Sequence, residues 1–424
     1  MSSRYDIVVY GATGFTGGYV LRTIASESLF KGKSIAVGGR DEGKLITTLE
    51  EIEKETGNTN VRKWPIILAD SSDDESLDSM AKQAKVIINT VGPYILYGES
   101  VVRSAINNGA SHVDISGEPT FLETMDLKYR DLARENGVYV IGACGWDSIP
   151  CDLEIDFLKR NFDGTLAYAE TCVRVNRGPS GYAVNTGTYE SLILGIKSKS
   201  ELGEVKLHQS VMPKGVPKAV HKVSFRFPLS KMNLSSISAW VMPFLGPDKL
   251  VVERSQYYDY HENGKRPIPV RAYVTFGSLI NMLLITIWIA VFGFSTLFAP
   301  LRKFLSAYPE VCSFGMFKKK GPTIEQIKAA SFDYFFFGTG WAKGETPDST
   351  TPTKKMSAVC HGPDPGYVGT SACVCSTALA LLDDKDKLPQ KGGVFTPASA
   401  FRDTRIYEYL RKMGVSFDLL PNEN

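Results

Sequence analysis

Charge imbalance is the first thing this chain lacks. Its 48 Lys and Arg residues against 46 Asp and Glu leave a formal net charge of +2 over 424 residues. A nucleic-acid-binding surface needs an excess of positive charge to displace counterions, so that class is excluded. Disulfide pairing is missing too. Seven cysteines, an odd number spread widely, form no framework of the kind that staples small secreted domains, and the setting expected is reducing and intracellular. Histidine is scarce: His112, His208, His221, His261 and His361 stand far apart, and Cys373-Val374-Cys375 has no second pair. No metal centre is expected, and these cysteines read as core packing. Neither a G-x-S-x-G nucleophile elbow nor repeats nor low-complexity tracts occur. The opening residues, Met1-Ser2-Ser3-Arg4-Tyr5-Asp6, are polar and run straight into a strand pattern, so no secretory signal is read there.

What is present is the composition of a folded protein, 43% apolar and 22% charged, with length enough for two domains. From residue 5 to about 150, short β-branched runs at 6–10, 34–37, 66–68, 86–90, 112–115 and 138–141 alternate with amphipathic stretches near 16–28, 41–56, 73–83, 98–108 and 120–136. That alternation builds right-handed βαβ units and a parallel sheet. The strands are almost continuously apolar, as strands covered on both faces must be. The fold class expected is α/β, a Rossmann-type doubly wound parallel sheet over residues 1–150. A second region, 151–270, opens with a helix after Pro150 and has strand-like stretches at 168–175, 223–227 and 270–276. A loop-rich stretch at 197–222, with scattered Lys and Pro, reads as mobile, and 347–352 reads as a loop or linker.

The first strand-to-helix turn is Gly11-Ala12-Thr13-Gly14-Phe15-Thr16-Gly17. Glycines here let the backbone approach a pyrophosphate, whose charge then meets a helix N-terminus. Gly11, Thr13, Gly14, Phe15, Thr16 and Gly17 are therefore the expected cradle. The second strand ends at Gly38-Gly39-Arg40, where a 2′-hydroxyl would call for an acidic residue. Arg40 suits a 2′-phosphate instead, so NADP is favoured over NAD. The alternative is that Arg40 stacks on the adenine or faces solvent, with Asp41 beside it. Asp70, after strand three, fits an acceptor for the adenine amino group or a plain helix cap. After strand four, Gly92 has room for the nicotinamide ribose, with Pro93 and Tyr94 as its wall; a core tyrosine is the competing reading. The turn Gly145–Cys151 follows strand six, at the carboxyl edge where open sheets bind ligands. Asp147 and Ser148 there either orient substrate and relay a proton or cap the next helix, with Pro150 in its first turn.

Taken together, GATGFTG (11–17), GGR (38–40), NTVGPY (89–94), DISGE (114–118), GWDSIPCDL (145–153) and GGVFTP (392–397) resemble the saccharopine dehydrogenase-like oxidoreductases of animals. The resemblance covers nearly the whole chain. Its front portion also looks like bacterial trans-acting enoyl reductases that act on long-chain lipids. The resemblance implies a Rossmann domain, a mixed α+β second domain, a nicotinamide cofactor and association with lipid droplets. No arrangement of residues argues for a dicarboxylic amino-acid substrate.

One run is long and apolar. Thirty residues, 272–301, carry no formal charge, where about 20 suffice to cross a bilayer core. Three readings compete: a spanning helix, monotopic insertion into a lipid monolayer, or burial in protein or in a homodimer interface. Spanning would set 303–424, which the resemblance makes the remainder of the second domain with a C-terminal return to the Rossmann domain, across a membrane from the cofactor. Insertion avoids this. Arg271, Arg302, Lys303 and Lys318–Lys320 could then meet head groups. The function expected is reduction of a hydrophobic, lipid-like carbonyl or enoyl substrate by NADPH at a lipid droplet or the cytoplasmic face of a membrane, with Tyr94 first and Ser148 second as proton donor and Asp147 holding the turn. A non-catalytic lipid- or pigment-binding protein on the same scaffold is the alternative.

Overall fold

The computed structural model describes residues 4–202, 204–217, 229–234, 237–389 and 391–421. Its first six strands, β1 (Tyr5–Tyr10), β2 (Ile35–Gly39), β3 (Ile66–Leu68), β4 (Ala84–Asn89), β5 (Ser111–Asp114) and β6 (Tyr139–Ile141), fall within two residues of the runs read from the sequence. They pair in parallel in the order β6-β5-β4-β1-β2-β3, and the late strand Gly393–Phe395 adds itself to β6. Alternate residues of β1 go to opposite layers. Ile7 and Val9 pack with Val20, Leu21, Leu45 and Ala372, whereas Val8 and Tyr10 pack with Leu77, Met80 and Val101. One face is thus covered by helices Phe15–Ser26, Glu42–Thr56 and Thr370–Asp383, the other by Asp74–Lys82, Tyr94–Asn107 and Pro119–Glu135. This is the doubly wound α/β sheet expected.

Helix Ser148–Asn161 leads to a second, mixed sheet. Its strands are β7 (Gly164–Asn176), β9 (Ser230–Leu234), β10 (Ile237–Pro243), β11 (Val270–Phe276), β13 (Ser331–Ala342), β14 (Lys354–Pro363) and β16 (Ser416–Leu419), in the order β16-β14-β13-β7-β11-β10-β9. Between them, β8 (Val184–Asn185) and β12 (Phe317–Lys318) form a small parallel pair, and β15 is the Gly393–Phe395 strand of the first sheet. The stretch 347–352 lies in the connection between β13 and β14. Two expectations differ here. The stretch read as a mobile loop is helical over most of its described part, in Thr186–Leu202 and Glu204–Val211, because Tyr189 and Ile193 bury against Phe292, Leu305 and Phe317. Packing of that kind overrides a weak local propensity. The strand expected at 223–227 lies outside the described residues.

The charge-free run is not one element. Residues 270–276 are β11, paired with β7 and β10. Ser278 caps the helix Leu279–Thr296, its hydroxyl accepting from Asn281 N at 3.2 Å. Pro300 then opens the short helix Ala299–Ala307. Leu279–Thr296 lays Met282, Phe292 and Thr296 against the protein and turns Ile280, Leu284, Ile287, Val291 and Phe294 outward, the i, i+3, i+4 spacing of one helical face. Only 17% of it is buried, against 83% for the other long apolar helix, Pro365–Asp383, which is a core helix. Leu301, Phe304, Tyr308, Val311 and Phe314 continue the exposed apolar surface. Both flanks return to the same body, through β11 before and β12 after, and Trp288 Nε1 donates to Cys312 O at 2.8 Å.

Candidate active site

The turn after β1 is held so tightly that side chains would not fit. Gly11 sits at φ +85°, and a Cβ there would lie 2.7 Å from Thr90 Oγ1 and from Val91 Cγ2. A Cβ on Gly17 would lie 2.2 Å from Gly11 O. Thr90 pins the turn from β4's end, its hydroxyl donating to Tyr10 O at 2.9 Å and Gly11 O at 3.2 Å. Helix Phe15–Ser26 starts at Gly14 with no side-chain cap, so its first backbone N–H groups are left to whatever lies over the turn. Thr13 and Gly14 are exposed, and Phe15 and Thr16 half-buried. The Phe15 ring rests edge-on against Tyr367, 4.6 Å between centroids.

At the end of β2, Arg40 is exposed. Asp41 beside it is spent as the cap of Glu42–Thr56, accepting from Lys44 N at 3.0 Å. Asp70 accepts from Ser72 N at 2.9 Å and Ser72 Oγ at 2.7 Å. Those donors, with the Arg40 charge as a smaller cause, hold its carboxyl below the usual range. The capping role open to Asp70 belongs instead to Asp73, which accepts from Glu75 N and Ser76 N.

Beyond β4, Asn89 Oδ1 accepts from Val91 N at 3.0 Å. Gly92 is exposed, Pro93 is buried, and the bond between them is cis. The buried carboxylate of Glu118 then caps helix Tyr94–Asn107 from across the sheet edge, accepting from Tyr94 N at 2.9 Å, Ile95 N at 2.7 Å and Ser191 Oγ at 2.8 Å. Tyr94 itself is 5% exposed. Its hydroxyl donates to Asn89 O at 2.9 Å and accepts from Ile115 N at 3.4 Å, with the ring against Phe121. Burial pushes its pKa far up. This is the core tyrosine of the competing reading: it bridges the ends of β4 and β5, and it would have to leave both partners to reach a substrate.

The turn after β6 holds its polar atoms differently. Ala143 and Asp147 have φ of 57° and 45°, a region costly for side chains other than glycine and enriched at functional sites. Trp146 N donates to Thr370 Oγ1 at 3.2 Å. Asp147 occupies the N-cap position of Ser148–Asn161 but makes no capping hydrogen bond, so the capping alternative holds by position and not by bonding. Trp146 Nε1, Asp147 Oδ1 and Ser148 Oγ are all buried without a partner among the described residues. Three consecutive unsatisfied polar side chains are rare in a folded interior. Behind them lies Asp248, its Oδ2 accepting from the Tyr334 hydroxyl and its Oδ1 unpartnered. Burial raises Asp147, and burial with the neighbouring Asp147 charge raises Asp248.

Residues 7–141 match the family model of the saccharopine dehydrogenase NADP binding domain. A Caenorhabditis elegans protein named lipid droplet localized protein is 46% identical over 98% of this chain and 98% of its own. The Homo sapiens saccharopine dehydrogenase-like oxidoreductase is 39% identical over 99% of this chain and 98% of its own. The chain belongs to the saccharopine dehydrogenase-like oxidoreductases. Its fold is that of Saccharomyces cerevisiae saccharopine dehydrogenase (L-Glu forming), which aligns with a TM-score of 0.53 at 12% identity over 98% of this chain and 99% of that one.

Membership makes this protein an oxidoreductase that uses NADP(H), and the turn fits the cofactor. Gly11 and Gly17 leave a cradle that a Cβ would fill, the helix behind it is uncapped, and Arg40 stands free of its acidic neighbour at the tip of β2. Bound there, the cofactor would supply the hydride. Two residues that build the candidate site are not singled out by the sequence reading. Thr90 was visible only as part of a turn, and Glu118 only as a letter of the DISGE block; their partners, Gly11 and Ser191, lie 79 and 73 residues away.

Proposed function

We propose that this oxidoreductase uses NADPH to reduce a hydrophobic, lipid-like carbonyl or conjugated alkene at the surface of a lipid droplet or the cytoplasmic face of a membrane. The observation that carries the reading is the outward apolar face of Leu279–Thr296, carried by the same folded body as the cofactor turn. A chain that leaves and re-enters one body on either side of that face suits monotopic insertion better than spanning. The name of the Caenorhabditis elegans relative supports the lipid droplet as the place, and the resemblance of the front portion to enoyl reductases supports an alkene or carbonyl of lipid type.

Reduction needs a proton or hydrogen-bond donor where negative charge develops. Asp147 is the proposed donor: burial keeps its carboxyl protonated further toward neutral pH than an ordinary aspartate, and its Oδ1 is uncommitted. Ser148 Oγ beside it would hold the substrate oxygen. Tyr94 would act at a distance, fixing the ends of β4 and β5. The test presents long-chain enones, enoyl esters and aldehydes on artificial droplets and follows NADPH absorbance. Turnover is expected, falling about 100-fold in Asp147→Asn. NADPH binding with no turnover across that panel overturns the reductase reading and leaves a cofactor-binding lipid protein.

A further inference from the structure

Away from the cofactor turn lies a cavity of about 350 Å³, within the roughly 300–1,000 Å³ of small-molecule pockets. It opens between helices Pro119–Glu135 and Asp248–Asn263, the Met212–Lys214 loop, and β15 with the residues that follow it. In the first sheet β15 is four strands from β1, about 19 Å at ~4.8 Å per strand. A pyrophosphate at the Gly11–Gly17 turn would therefore not reach it.

Its inner wall carries more positive charge than it balances. One carboxylate, Asp126, serves two guanidiniums: Oδ1 accepts from Arg130 Nε at 2.6 Å and Oδ2 from Arg254 Nη2 at 2.6 Å. Asp126 and Arg254 are 4% and 6% exposed, so water screens that pair little, while Arg130 reaches from the same carboxylate toward solvent with 34% of its side chain exposed. Arg254 uses only part of its donor fork, for its Nε is buried with no partner among the described residues. A buried guanidinium left short of acceptors is costly, and the group that repairs it is an oxyanion. Arg134 and Lys214 carry the positive charge on toward the mouth. The carboxylates opposing them, Asp131 and Glu262, are exposed to solvent, where water screens them. Tyr257 and Phe395 add aromatic walls against which an organic body can lie.

We propose that this cavity binds a small organic anion, a carboxylate or phosphate group seated on Arg254 and Arg130. The site is independent of whether the protein turns over a substrate. The experiment is calorimetry on the full chain in excess NADP⁺, which fills the cofactor's own phosphate positions, titrated separately with inorganic phosphate and with butyrate. One saturable site is expected for at least one of the two, and the stronger binder identifies the group. Arg254→Lys should weaken it about tenfold or more, the worth of one hydrogen bond to a charged group. Lys214→Glu, an exposed change that leaves the core intact, should weaken it several-fold and with a shallower salt dependence. NADP⁺ affinity should stay the same in both variants. Binding of neither anion, binding abolished by NADP⁺, or binding indifferent to both substitutions overturns the proposal.

Discussion

Replacing Leu284 and Val291 together by glutamate should release the protein from lipid without unfolding it. Both side chains lie on the outward face of Leu279–Thr296 and keep 60% and 61% of their surface exposed. Fully burying such a side chain is worth about 1.5–3 kcal/mol, so covering that fraction with acyl chains gains about 0.9–1.8 kcal/mol for each. The double variant should forfeit about 2–4 kcal/mol, a loss of about 30- to 1,000-fold in partitioning, before any cost of placing carboxylates near lipid. The folded state should hardly notice, since exposed helix positions shift stability by about 0.5 kcal/mol or less. Flotation with triolein droplets coated in phospholipid measures the partition, and thermal melting with near-ultraviolet circular dichroism checks the fold. Sedimentation in the absence of lipid separates the rival use of this face. Droplet binding that survives the double substitution refutes the insertion argument, and a dimer that falls apart on substitution assigns the face to a second copy.

The remaining expectations concern the cofactor and the buried acids. Arg40→Ala should cost NADP⁺ about 10- to 100-fold in affinity, the worth of a charge-assisted pair with a phosphate, and leave NAD⁺ nearly unchanged; equal losses for both cofactors would remove Arg40 from the 2′-phosphate. Gly17→Ala should abolish binding of both, because its Cβ would stand 2.2 Å from Gly11 O, and calorimetry that still detects NADP⁺ would contradict the tight turn. Burial raises Asp152 to about 7 from an ordinary 3.8. A folded-state pKa above the unfolded value means a contribution to stability that is complete below about pH 4 and lost as pH rises through about 7. Asp152→Asn should therefore flatten the fall of the melting temperature between pH 4 and 7, and a variant whose melting temperature tracks the wild type across that window would show that Asp152 does not titrate there.

The parts of this molecule that were legible in the sequence are those whose cause is local. A strand buried on both faces must be apolar throughout, and Ile7–Tyr10 and Val86–Asn89 announce themselves for that reason. Gly11 and Gly17 are glycine because the turn they share cannot hold a Cβ, so the cofactor cradle is written in its own residues. Helix Thr186–Leu202 is the opposite case. Its glycines, serines and threonines carry little helical preference, and it is fixed by Tyr189 and Ile193 meeting Phe292 and Phe317 from a segment about 100 residues later. Asp147 divides the same way. Its position before a helix with Pro150 in the first turn was readable, but whether its carboxyl would cap that helix was decided by φ +45°, by Thr370 across the interface and by burial beside Asp248.

That unreadable helix is also what ties the two ends of the proposed function together. On one side Tyr189 packs on Phe292 of the apolar helix, 5.2 Å between ring centroids. On the other, Ser191 donates to Glu118, whose carboxylate caps Tyr94–Asn107 and so sets the loop from Gly92 to Tyr94 beside the cofactor turn. A lipid surface seated on Leu279–Thr296, as proposed, would bear on the Gly92–Tyr94 loop through one helix, whose two contacts lie two residues apart. Cutting that link without touching lipid or cofactor is the way to see it work. Ser191→Ala removes one of the three donors that Glu118 has among the described residues and leaves the other two in place. Its loss is worth about 1.5–3 kcal/mol at a charged acceptor. NADPH affinity measured with and without droplets should differ in the wild type and converge in Ser191→Ala, while droplet binding stays intact. A droplet effect of the same size in both proteins would mean that the surface and the crevice communicate by another route, or not at all.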